Sequence, residues 1–146
     1  MTYGSLFAGI GGIDLGLDRA GLECRWQVEN DGYCVKVLAS HWPEVKRYGD
    51  IRQIGGQDLE YVDLVCGGFP CQDLSQAGKG TGLVHADGTP TRSGLWFEYA
   101  RIIGLLRPRY VLAENVPGLL VHSAMGRVIG DLARLGYVGC WRSLRA

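Results

Sequence analysis

Short apolar runs alternate with helically spaced apolar residues along nearly the whole chain, and this alternation restricts the fold more than any other feature. Tyr3–Ala8, Leu22–Glu29, Val45–Tyr48, Tyr61–Cys66 and Tyr110–Ala113 read as strands. The first helix carries Ile13, Leu17 and Ala20 and is closed by Gly21; the second is capped by Asp31, turns Cys34, Val35 and Leu38 inward, and stops near His41 ahead of Pro43. A third, with Ser93 at its start, places Leu95, Trp96, Tyr99, Ile102, Ile103 and Leu106 at helical spacing before Pro108. A fourth carries Met125, Val128, Ile129, Leu132 and Leu135 up to Gly136, and Tyr137 onward predicts a sixth strand. Parallel strands need crossovers, and helices are the usual ones. The pattern therefore predicts an α/β fold, a mostly parallel sheet with helices on both faces. At 146 residues it reads as a single domain.

Charge and cysteine usage narrow the function classes. Fifteen basic residues balance fifteen acidic ones, so this chain lacks the cationic excess of a stand-alone nucleic-acid binder. Its five cysteines are odd in number and form no Cys-x-x-Cys pair, which indicates neither a disulfide scaffold nor a zinc site. No apolar run reaches membrane-spanning length and no signal peptide is visible. The expectation is a cytoplasmic protein without a membrane partner.

The candidate chemistry gathers at strand ends, where open parallel sheets bind ligands. Gly67-Gly68-Phe69-Pro70-Cys71-Gln72 stands at the end of the fourth strand. Glycine permits a sharp turn there, and Pro70 stiffens the approach to Cys71. A cysteine on such a loop suits a nucleophile better than core filler. Glu114, at the end of the fifth strand, is expected beside Cys71, where a half-buried carboxyl can donate a proton. The first strand leads into Gly9-Ile10-Gly11-Gly12, a turn whose free N–H groups suit a polar ligand. Asp14 stands where a dinucleotide fingerprint has its third glycine, which disfavours NAD and suits a nucleoside better than a pyrophosphate. Glu29, 20 residues after Gly9, is placed to accept ribose hydroxyls, and Asp50 closes the third strand.

Together, Phe7-Ala8-Gly9-Ile10-Gly11-Gly12, Glu29, Gly49-Asp50-Ile51, Gly68-Phe69-Pro70-Cys71-Gln72, Ser93-Gly94-Leu95-Trp96 and Glu114-Asn115-Val116 resemble the ordered motifs of cytosine-5 DNA methyltransferases. The resemblance implies a Rossmann-like, S-adenosyl-methionine-dependent methyltransferase domain acting on double-stranded DNA. By the same resemblance, the cofactor residues are Phe7, Ala8, Gly9, Ile10, Gly11, Gly12, Glu29 (ribose), Asn30, Asp50 (adenine), Ile51, Pro70 and Leu95. Cys71 attacks carbon 6 of a flipped-out cytosine while Glu114 protonates or hydrogen-bonds ring nitrogen 3. Phe69, Gln72, Ser75, Arg92, Asn115 and Val116 belong to the substrate side, with Ser75, Lys79 and Arg92 as phosphate contacts from a closing loop over 73–92.

The resemblance also implies a Gln-x-Arg-x-Arg motif, a target-recognition domain and a returning segment after the sixth strand. None stands within these residues. The chain is thus expected to correspond to the amino-terminal half of such an enzyme, incomplete at its C-terminus. Three readings are open: one subunit of a split methyltransferase completed by a second polypeptide, an inactive truncated fragment, or a non-catalytic cofactor-binding or assembly module.

Overall fold

The structure is a computed structural model that describes residues 1–70, 92–121 and 124–144, without the side chains of residues 92, 93 and 121. The chain forms two compact units, Met1–Phe69 with Arg101–Glu114, and Pro70–Ala100 with Asn115–Ala146.

The first unit holds a five-stranded sheet: β1 (Thr2–Leu6), β2 (Glu23–Val28), β3 (Lys46–Tyr48), β4 (Leu64–Gly68) and β5 (Tyr110–Glu114). Every pairing is parallel and the spatial order is β3-β2-β1-β4-β5. The order reverses between β1 and β4, the kind of switch point at which open parallel sheets bind ligands. Helix α1 (Gly12–Arg19) joins β1 to β2, and α2 (Gly32–His41) joins β2 to β3. As the sequence predicts, Asp31 caps α2: its carboxylate accepts from the N–H groups of Tyr33 and Cys34 at 3.0 and 2.9 Å. Gly21 and Gly136 both take the left-handed backbone at helix ends.

One side of the sheet buries Tyr3, Leu64 and Cys66 under Ile13, Leu17, Leu22 and Cys24. A side chain at Gly4 would overlap the Trp26 ring, its Cβ only 2.1 Å from the indole. Gly67 is equally constrained. A Cβ there would lie 1.9 Å from the Leu6 carbonyl oxygen, so β1 and β4 approach this closely only with glycine at that position.

Helix α3 (Trp96–Leu106) follows a 3₁₀ turn over Arg92–Leu95, so Ser93 lies inside that turn instead of ahead of the helix. The boundary between the units falls within α3, after Ala100. In the second unit, α4 (Gly118–Val121) precedes α5 (Ala124–Arg134). Its described core centres on Trp96, stacked on Tyr99 at 5.5 Å and donating its indole N–H to the Asp131 carboxylate at 2.9 Å. Arg127 and Arg134 also bond that carboxylate, and Arg127 lies over the Phe97 ring.

Two sequence expectations change here. Residues 137–144 form no strand; Val138, Trp141 and Leu144 are exposed and pair with no strand among the described residues. An extended segment becomes a strand only through a neighbour's backbone groups, and no apolar pattern supplies that neighbour. In α5, Ile129 faces outward and Asp131 inward, because the acid has three cationic or N–H donors to satisfy it. No helix among the described residues is long and apolar enough to cross a membrane.

Candidate active site

The turn after β1 is shaped by backbone conformation. Phe7, Gly9 and Gly11 all have positive φ, at 53°, 57° and 86°. The Ala8 N–H donates to the Val28 carbonyl and the Gly11 N–H to the Ala8 carbonyl, which draws the turn over the end of β2. A side chain at Gly11 would strike the Trp42 ring at 2.4 Å. Around Gly9 and Gly12, by contrast, an added Cβ would meet nothing within 4 Å, and Ile10 is 60% exposed between them. One side of the turn is therefore packed and the other is open.

Glu29 fastens this turn. Its Oε2 accepts from the Gly9 N–H at 2.8 Å, and its Oε1 accepts from the N–H groups of Asn30 and Asp31, both at 2.8 Å. The spacing read from the sequence is thus a direct contact. A carboxylate oxygen has two lone-pair sites, so Oε2 retains acceptor capacity.

Asp50, just past β3, caps a 3₁₀ turn over Ile51–Gln53 through the Arg52 N–H at 3.0 Å. The Arg52 guanidinium grips the same carboxylate with Nε at 2.9 and 3.0 Å and Nη2 at 2.6 Å. These bonds hold the Asp50 carboxyl below its usual range. Ile51 is buried. Arg101, on α3, donates to the carbonyls of Ile54 and Ile51, each at 2.8 Å.

At the other end of the sheet, β4 and β5 are in register with Gly68 opposite Glu114. A Cβ on Gly68 would sit 2.6 Å from Glu114 Oε2, so the carboxylate lies directly over that glycine. Phe69, next in the chain, is buried. Glu114 itself is exposed, where the sequence predicts a half-buried carboxyl. The reason is local: among the described residues β5 pairs with β4 alone, and burial depends on neighbours that strand periodicity does not report. In the second unit Pro70, Leu95, Asn115 and Val116 are half-buried, and Asn115 Oδ1 accepts from the Val116 N–H at 2.9 Å. Cys71, Gln72, Ser75 and Lys79 lie outside the described residues, as does the side chain of Arg92.

Asp14 does not face the open side of the turn. It is fully buried, accepting from Ser5 Oγ and Gln27 Nε2, both at 2.9 Å, and burial pushes its carboxyl above the usual range. Position 14 lies within the first turn of α1, and the helix rotates its side chain beneath the sheet. Nearby, Tyr3 and the Trp42 indole both donate to Asp18, at 2.8 and 2.6 Å. Sequence reasoning missed Trp42 and Arg101. Trp42 follows a helix without periodic signal, and Arg101 reads as one more polar position on an amphipathic helix.

The chain is similar to known proteins in both fold and sequence. The Dnmt2 methyltransferase of S. pombe superposes with a TM-score of 0.72 over 92% of this chain and 42% of its own, at 18% identity. A mutant DNMT2 of Spodoptera frugiperda superposes with a TM-score of 0.70 over 92% and 41%, at 22% identity. These likenesses show the fold alone. In sequence, the chain is 41% identical to the Type II methyltransferase M2.BsuMI of Bacillus subtilis over 153 residues, covering 100% of this chain and 38% of that protein. It is 43% identical to the Type II methyltransferase M.Eco47II of Escherichia coli, covering 92% and 31%. The chain thus spans about a third of the length of these relatives. The profile of the family described as C-5 cytosine-specific DNA methylase matches residues 1–146 throughout. A parallel sheet of this order, its glycine turn and its Gly68–Glu114 pairing therefore sit in a chain that belongs to the C-5 cytosine-specific DNA methylase family.

Proposed function

We propose that this chain supplies the cofactor shelf and the nucleophile for methylation of cytosine at carbon 5 in double-stranded DNA, with S-adenosyl-methionine as donor. Target recognition would come from a further segment or a second polypeptide, since the relatives are about three times as long. The observation that carries the reading is the register of β4 and β5. It seats the Glu114 carboxylate on Gly68, three residues ahead of Cys71 in the chain.

The shelf residues fit the donor. The open flank at Gly9 and Gly12 leaves room for a nucleoside, and exposed Ile10 offers it an apolar surface. Glu29 Oε2 has acceptor capacity for a ribose hydroxyl. Asp50, ionised beside Arg52, suits an exocyclic amine. When bound, S-adenosyl-methionine supplies an electrophilic methyl group. Phe7, Ala8, Gly11, Asn30 and Ile51 complete the proposed shelf within the first unit.

Cytosine carbon 5 is a weak nucleophile, so covalent addition divides one hard step into easier ones. The base must first leave the stack. Cys71 attacks carbon 6 as thiolate, forming the sulfur–carbon bond while Glu114 holds a proton at nitrogen 3. Carbon 5 then carries the electron density needed to take the methyl group, whose bond to the donor sulfur would break to leave S-adenosyl-homocysteine. Loss of the carbon-5 proton restores the ring double bond and expels Cys71. Phe69, Gln72, Ser75, Arg92, Asn115 and Val116 would hold the base and its phosphates.

The test is transfer of a tritiated methyl group to DNA by the chain, alone and mixed with candidate completing polypeptides. Label is expected in DNA with a completing partner. Cys71→Ala should abolish it while sparing cofactor binding, and Glu114→Gln should slow it by about 10²-fold or more. No label under any pairing would remove the methyl-transfer reading, and turnover by Cys71→Ala would remove the nucleophile. Cofactor binding without transfer would favour a non-catalytic binding module.

A further inference from the structure

The 3₁₀ turn that carries Asp50 is too short to hold itself. It contains three residues, Ile51–Gln53, and closes with two backbone bonds, Gln53 N–H to Asp50 at 3.0 Å and Ile54 N–H to Ile51 at 3.3 Å. Runs this short have poor internal geometry and fray unless something outside them holds their carbonyls. Here that role falls to one side chain from α3. Arg101 Nη2 bonds the Ile51 carbonyl and Nη1 the Ile54 carbonyl, both at 2.8 Å, so a single planar fork spans the turn from its first residue to the one beyond its end. The same stretch leans on α3 a second time at Gly56, where a Cβ would lie 3.2 Å from Leu105 Cβ.

We propose that Arg101 is a positioning residue for the adenine side of the cofactor shelf: its fork on the Ile51 and Ile54 carbonyls fixes the turn from which Asp50 reaches the ligand. This rests on the function proposed above. The fork matters more than the charge. A lysine ammonium is a point donor and cannot meet two carbonyls in the same plane, so Arg101→Lys should behave like Arg101→Gln and not like the parent.

Two measurements on the full chain test this. The first is amide hydrogen exchange at Arg52, Gln53 and Ile54, with β1 amides as internal reference. Arg101→Gln should speed exchange in the turn by about tenfold or more while leaving β1 unchanged. Equal exchange in parent and variant would overturn the clamp, and this result needs no ligand. The second is calorimetric binding of S-adenosyl-homocysteine and of its inosine counterpart, which carries a carbonyl in place of the exocyclic amine. The parent should prefer the adenine compound. Arg101→Gln should weaken it by about tenfold and narrow that preference. A variant that weakens both ligands by one factor, or full rescue by lysine, would reduce Arg101 to a general tether and overturn the proposal. Failure of the parent to bind either ligand would count against the proposed function, while the exchange result still decides the clamp.

Discussion

Strands β1 and β5 belong to one sheet, end at the same rim and carry the two halves of the proposed chemistry, yet they are built differently. In β1, Tyr3, Gly4, Ser5 and Leu6 are all buried, with a strand on either side. In β5 only Val111 is even half-covered, and Tyr110 and Leu112 are 44% and 43% exposed. The glycine turn beyond β1 is fastened from below by Trp42 and from the side by Glu29. Glu114, at the end of β5, rests on one glycine and faces outward. The difference teaches that the proposed donor shelf is set by packing, whereas among the described residues the carboxyl end of β5 takes its position from its register with β4.

The largest expected effect is in β1. Leu6→Ala empties a fully buried site and should cost about 3 kcal/mol in chemical denaturation. A loss below about 1 kcal/mol would mean that this flank is not the rigid one. Next comes Asp14→Ala, which leaves the Ser5 hydroxyl and the Gln27 amide buried without their acceptor; about 2 kcal/mol is expected.

Asp14 also gives a pH signature. Burial raises its carboxyl above the ordinary 3.8, so the folded chain keeps a proton that the unfolded chain releases. Its stabilising contribution is complete below 3.8 and is lost as pH rises through the folded value. Asp31, Asp50 and Asp63 are shifted downward by their hydrogen bonds, and their contributions run the other way. The informative quantity is therefore the stability difference between Asp14→Asn and the parent. It should move in favour of the variant as pH rises from 3.8. A flat difference would place Asp14 outside the titrating set.

Smaller again is Glu29→Ala, which frees three backbone N–H groups at a half-exposed site. About 1 kcal/mol of stability should go, together with donor affinity. Smallest is Leu112→Ala, expected to change stability by no more than about 0.5 kcal/mol. A loss as large as that of Leu6→Ala would erase the contrast between the two strands.

The same contrast explains what the sequence could and could not say. Five strands, the Asp31 cap and the Gly9–Glu29 relation were legible because each depends on residues close in the chain or on a fixed period. The burial of Asp14 was not legible, because its partners Ser5 and Gln27 come from two different strands. Asp131 hid within an apolar period because its burial depends on Trp96 and on two arginines, Arg127 and Arg134, one turn to either side on its own helix. The expected strand after Tyr137 and the half-buried Glu114 failed for a common reason: both require a neighbour, and neighbours are not periodic.

Glu29 carries a consequence for how such a chain can vary. One carboxylate ties the loop down and, in the proposed role, greets the ribose. Drift at that position cannot trade one duty against the other: a substitution that loosens the loop unmakes the berth along with its guest. Shape and affinity are inherited there as a single trait.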